Sequence, residues 1–216
     1  MTRNHFQAEL DDLNSLIVQV AELSGKALSE AIDALFTNNL EMANNVVRND
    51  IHIDRGELEI NDKVVVLIAK QQPVATDLRR IIVFLRIATD IERMADNAKN
   101  IAQSTILLEN NNIPKLDNLK KLHDVVQNML EKAIIAFKNE DVNIAKELGE
   151  IDDDVDRLYN NIVSELLGMT ATNPDKIQYI MQLAFCARYL ERFADHITNI
   201  GESVLFLVKG INYDLN

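Results

Sequence analysis

Residues Leu78–Gln103 read LRRIIVFLRIATDIERMADNAKNIAQ, a helical pattern that changes character halfway along. The first half is an apolar stripe at helical spacing; the second carries Glu92, Asp96 and Asn100, each one turn beyond the last. At about 100° per residue, positions four apart stack on one edge of a helix, so two carboxylates and an amide project together. Leu78, Leu85 and Glu92 are seven apart, so the glutamate continues a stripe that begins as core. A carboxylate in a core-like sector costs free energy unless it is paired, protonated or bound to a metal. The pattern returns in Ile177–Glu202, IQYIMQLAFCARYLERFADHITNIGE, where Glu191, Asp195 and Asn199 repeat the spacing.

Around these two stretches the rest of the chain also reads as long helices. The first runs from about Asn4 to Phe36, with Leu10, Leu13, Ile17, Val20, Ala27, Ala31 and Leu35 forming a seam that stops in Thr37-Asn38-Asn39. The second, about Glu41 to Gln71, places Val46, Ile53, Ile60 and Leu67 seven apart, with Asp50 and Glu57 interrupting on the same side. Pro73 ends it, and the third helix spans about Thr76 to Leu108. Asn110-Asn111-Asn112-Ile113-Pro114 is a polar break with a proline beyond it, which divides the chain into residues 1–110 and 115–216. The second part repeats the plan: helices from about Lys115 to Lys138 and Asp141 to Met169, a turn through Thr172-Asn173-Pro174, and a helix from about Asp175 to Val208. The expected fold is all-α, two tandem three-helix bundles of six long helices related by internal duplication.

Composition agrees with that reading. The 216 residues are 47% hydrophobic, with only 6 Gly, 3 Pro and no Trp, which favours a few long elements over many turns. A net charge of -12 leaves no general basic surface for nucleic acid, and free phosphate becomes a ligand only where a bound cation inverts the local charge. The single cysteine, Cys186, lies in the apolar run LAFCA and reads as core filler in a reducing compartment. No apolar leader opens the chain, and VVVLIA at Val64 is far shorter than the ~20 residues of a membrane span, so a cytoplasmic protein that docks peripherally on a membrane complex is expected.

The acidic residues converge by hairpin arithmetic. Residues on two antiparallel helices lie level when they are equidistant from the turn. Asp54 with Glu92 and Asp50 with Asp96 both centre on position 73, the proline. In the second half, Asp154 with Glu191 and Glu150 with Asp195 centre on 172.5, within the turn. Four carboxylates at one level raise one another's pKa, so either some are protonated or tied up by arginines such as Arg55, Arg93, Arg157 and Arg192, or a hard cation holds them. All-oxygen donors suit iron, manganese, magnesium or calcium better than zinc. Asn100 and Asn199 are possible additional ligands; His196 could turn toward the second site, whereas His5, His52 and His123 read as surface. Neither half has the Glu-x-x-His pairs of ferritin-like di-iron sites, and no HExxH, P-loop, GxSxG or Rossmann glycine pattern occurs, so binding rather than catalysis is expected.

The duplicated layout, the run QQPVATDLRRIIVFLRIATDIERMADNAKNIAQ and the later LERFADHITNI together resemble the PhoU family, accessory proteins of the bacterial phosphate-specific transport system. The resemblance spans essentially the whole chain. It implies paired PhoU domains whose E/D-x-x-x-D motifs bind metal clusters, falling here on Asp50 and Asp54, Glu92 and Asp96, Glu150 and Asp154, and Glu191 and Asp195. The first half departs from the motif at Met94-Ala95 and at Asn97, where the second half has His196. The family role so implied is negative regulation of phosphate uptake and homeostasis, through contact with the ATPase of the phosphate ABC transporter and a sensor histidine kinase, often as a homodimer. A metal-free helical adaptor, an accessory protein of a low-affinity phosphate permease and a metal-dependent phosphate-ester hydrolase are the competing readings.

Overall fold

The computed structural model describes residues 3–108 and 117–215, all helix and connecting turn apart from a short non-helical segment at 210–215; the expected break at Asn110–Pro114 lies outside the described residues. The helices are α1 (Arg3–Thr37), α2 (Leu40–Asn49), α3 (Ile51–Gln71), α4 (Ala75–Leu108), α5 (Asp117–Asn139), α6 (Val142–Thr172) and α7 (Ile177–Lys209). The second expected helix is thus two segments, but Asp50 between them keeps right-handed helical dihedrals. Its N–H donates to the Val46 carbonyl and its own carbonyl accepts from Ile53 and Asp54, so α2 and α3 form one rod. The six-helix fold expected from the sequence is what the chain adopts.

Helix ends follow local chemistry. The Asn39 side chain accepts from the Met42 N–H at the start of α2, and Asp141 accepts from the N–H groups of Asn143 and Ile144 at the start of α6. The α3 rod stops where Gln72 turns left-handed just before Pro73. The α6–α7 connection contains a short 3₁₀ turn, Pro174–Lys176, opened by the proline.

The α4 and α7 helices are the axis of the molecule. Arg79 donates to the Leu207 carbonyl at one end, Asp90 meets His196 nearer the middle, and Ser104 neighbours Cys186 at the other end, so the two run antiparallel. The α1–α3 helices pack on α4, and α5 and α6 on α7. The halves also touch through α1 and α5, where Gln127 donates to the Gly25 carbonyl. A single continuous core results, from Leu13, Ile17 and Leu35 through Phe84, Ile91 and Met94 to Phe193 and Val204. Cys186 is buried within it, its thiol pushed up to about 12 by desolvation, as suits filler rather than a reactive group. His123, expected at the surface, instead lies mostly buried between α5 and α1, within 3.4 Å of Ser29.

Close helix contact depends on glycine at Gly201. A Cβ there would meet Leu148 Cδ1 at 2.8 Å and the Ala145 carbonyl oxygen, fixed backbone of α6, at 3.0 Å. Gly201→Ala should force α6 and α7 apart and cost about 1–3 kcal/mol in urea unfolding. An unchanged midpoint would show that α6 yields without loss.

Candidate metal centre

In the first half, Asp50, Asp54, Glu92 and Asp96 come together as the hairpin arithmetic requires. Asp50 is 6% exposed at the α2–α3 junction, where it faces α4. Lys99, one turn beyond Ala95 on α4, reaches across: its Nζ lies 2.6 Å from Asp50 Oδ2 and 3.2 Å from Asp96 Oδ1. The hydrogen bond to Asp50 and the surrounding negative charge hold this ammonium well above its ordinary range. Asp54 and Glu92 are both raised, first by desolvation and then by neighbouring acids, with Glu57 joining the set. The cluster therefore contains its own cation. The contacts to Asp50 and Asp96 come from Lys99 rather than from Arg55 or Arg93, although Arg93 favours the charged form of Glu92.

The second half differs in membership. Glu150 and Asp154, expected beside Glu191 and Asp195, lie on the solvent side of α6, and Asp154 is paired with Arg157 there. Asp152, which is buried, takes their place, joined by Asp156, which is exposed but close enough to act on Glu191 and Asp195. Asp152 is 8% exposed and is raised to about 6, chiefly by desolvation and then by Asp195. Glu191, also 8% exposed, is raised to about 7 by desolvation, Asp195 and other acids. Asp195 shifts the same way, with desolvation the leading cause. The reason for the displacement is register. The 3₁₀ turn moves the hairpin centre to 173.5, where Asp152 with Asp195 and Asp156 with Glu191 are equidistant from it.

Charge compensation here is incomplete. Arg188, half-exposed on α7, pairs with Glu191 Oε1 from the rim, and its guanidinium also lies over the Tyr159 ring at 5.9 Å. The Thr198 hydroxyl favours the charged form of Asp152, while Asp195, Asp156 and Asp153 oppose it. Two buried carboxylate oxygens, Asp152 Oδ1 and Glu191 Oε2, have no hydrogen-bond partner. Such atoms cost free energy as they stand. Among the described residues no three His, Cys, Asp or Glu side chains are already drawn in to ligating distance. The α6–α7 donor set nevertheless fits a hard cation, since it offers oxygens that lack partners. The α3–α4 set does not fit one while Lys99 occupies it.

His196 does not turn into the cluster. Its Nδ1 lies 3.0 Å from Asp90 Oδ1, and Asn199 donates to the same oxygen at 3.0 Å, so both serve the α4–α7 interface. Asn199 is thereby tied to the α4–α7 interface, whereas Asn100 lies half-buried one turn past Asp96.

Sequence and structure comparisons agree with this architecture. The PhoU domain matches residues 17–105 and again 119–204. A phosphate-specific transport system accessory protein PhoU homolog of Clostridium acetobutylicum is 35% identical, with all of both chains covered. The corresponding protein of Aquifex aeolicus is 36% identical over 94% of this chain and 92% of its own. The crystal structure of the phosphate transport system regulatory protein PhoU from Streptococcus pneumoniae superposes with a TM-score of 0.91 at 28% identity, covering 97% of this chain and 99% of that one. PhoU from Pseudomonas aeruginosa gives a TM-score of 0.91 at 32% identity, covering 95% and 100% respectively. Two domain matches, full-length relatives and near-complete superposition lead to one assignment: this chain belongs to the PhoU family.

Proposed function

We propose that this protein is a cytoplasmic accessory protein of phosphate transport. It restrains phosphate uptake by contact with the transporter's ATPase and a signalling partner such as a sensor histidine kinase, and it catalyses no reaction. The names of its relatives, accessory and regulatory proteins of phosphate transport, support the role. No helix among the described residues is long and apolar enough to cross a membrane, which agrees with peripheral attachment. Exposed Val65, Val66, Ile68 and Val74 around the α3–α4 turn give an apolar tip suited to a protein partner. A homodimer is compatible with such a surface.

The same proposal includes a hard cation, iron, manganese or magnesium in preference to zinc, held between α6 and α7. Asp152, Asp156, Glu191 and Asp195 would hold it. When bound, the cation supplies positive charge that neutralises the acids and gives an anionic ligand a place to bind. The observation that carries this is the pair of partnerless buried oxygens on Asp152 and Glu191. The test is elemental analysis of purified protein beside an Asp152→Asn, Asp195→Asn variant that keeps its helical circular dichroism. Bound metal that disappears in the variant supports the centre. Equal metal in both would place the bound ion elsewhere on the protein, and none in the wild type after reconstitution leaves a metal-free adaptor.

A further inference from the structure

We infer that the duplicated clusters have diverged into one metal site and one site permanently filled by the chain itself, the Lys99 ammonium standing where the first half would otherwise take a cation. The inference rests on the metal reading of the α6–α7 cluster proposed above. It begins from a register comparison. Glu92 and Asp96 correspond to Glu191 and Asp195, and the same offset along the third helix places Lys99 opposite Thr198. Val46, Asp50 and Ile53 on the second rod correspond to Leu148, Asp152 and Val155, a buried apolar residue on either side of a buried aspartate in both halves. The donors are thus equivalent in the two halves, while the residue that faces the buried aspartate from the third helix is a cation in one and a hydroxyl in the other.

The geometry of Lys99 is that of a bridging ion. Its Nζ contacts Asp50 on the second rod and Asp96 on α4 together, at 2.6 and 3.2 Å, and so ties the two helices that supply the cluster. An ammonium donates three hydrogen bonds from a compact unit charge, which is how a small cation would meet two carboxylates. Arg188 in the second half is no equivalent. It lies on the same helix as its partner, pairs with Glu191 alone and is half-exposed. It leaves the buried Asp152 Oδ1 and Glu191 Oε2 without partners, whereas no fully buried oxygen of Asp50, Asp54, Glu92 or Asp96 is left so. A metal entering the first cluster would have to expel an ammonium that already satisfies Asp50, whereas one entering the second would meet bare oxygens.

The experiment uses full-length protein, Mn(II) as the probe and two readouts: metal retained after gel filtration, and unfolding midpoint with and without chelator. Wild type should retain Mn(II), and Asp152→Asn with Asp195→Asn should remove essentially all of it. Adding Lys99→Thr to that double variant should restore retention at the first cluster at least tenfold above the double variant. Thr198→Lys in the wild-type background should abolish retention in protein that keeps its helical circular dichroism. About half the Mn(II) surviving in the double variant would overturn the inference, because the first cluster would then load despite Lys99. Failure of Lys99→Thr to restore retention in protein with intact circular dichroism would also overturn it. Absence of Mn(II) from the wild type would instead sink the metal reading on which the inference rests. Should the triple variant fold poorly, Thr198→Lys alone still decides, since undiminished retention there denies that an ammonium at this position excludes metal.

Discussion

Lys99→Met should destabilise the chelated protein by roughly 2–4 kcal/mol, seen as a lower urea midpoint with unchanged slope. The cost arises at Asp50, which is 6% exposed and accepts from Nζ at 2.6 Å; without the ammonium it is a buried charge beside Asp54 and Asp96. The partial exposure of Lys99 brings the effect below that of breaking a wholly enclosed pair. Asp50→Asn should cost less alone, because Lys99 keeps Asp96 and solvent. In combination the two changes should recover much of the loss, giving a coupling of about 1–3 kcal/mol in the double-mutant cycle. A Lys99→Met variant within about 0.5 kcal/mol of wild type would mean that the α3–α4 cluster tolerates its charges unaided.

The second large effect is on pH dependence. In chelator, wild type should lose stability as pH rises from about 4 to about 7, where many proteins gain it. Asp152 is raised to about 6 and Glu191 to about 7, so the native state keeps protons that the unfolded chain gives up near pH 4. The stability from those protons is fully present below the unfolded values and is lost as pH passes through the folded ones. Holding these two protons up to about pH 6 and about pH 7 is worth roughly 3 kcal/mol each. Asp152→Asn and Glu191→Gln should each flatten the decline and leave the chelated protein more stable than wild type at pH 7. The measurement is urea unfolding at pH 4, 5.5 and 7. Parallel curves for wild type and variants would show that these carboxyls are solvated in both states. Saturating Mn(II) should oppose the decline in wild type and do nothing for the variants.

Most of the fold can be read from period alone. Seams spaced by three and four in α1, and by seven in the α2–α3 rod, mark buried faces that the structure confirms at Leu13, Ile17, Val46, Ile53 and Ile60. The first cluster was legible because Pro73 fixes the hairpin centre to within a residue. The second was not, because a 3₁₀ turn and a polar helix end share the space between α6 and α7, and an error of one position there selects the wrong face of α6. A signal was present: Asp152 sits four residues after Leu148 and three before Val155, as Asp50 sits between Val46 and Ile53. Glu150 and Asp154 flank that position and face water. Lys99 could not be recognised from spacing, since a lysine three residues after an aspartate is usually a solvated helix pair. What distinguishes it is the opposing buried carboxylate, which belongs to another helix.

Because one core runs continuously through α4 and α7, the two halves are expected to open together. The cation proposed between α6 and α7 would then steady α1, which it never touches, by RT ln(1 + [L]/Kd), about 2.7 kcal/mol at a hundredfold excess over Kd. Cleavage through global opening follows the open population, so at such an excess proteases should cut the α1 end about a hundredfold more slowly. Turnover of the whole polypeptide would then follow how much of that ion surrounds it.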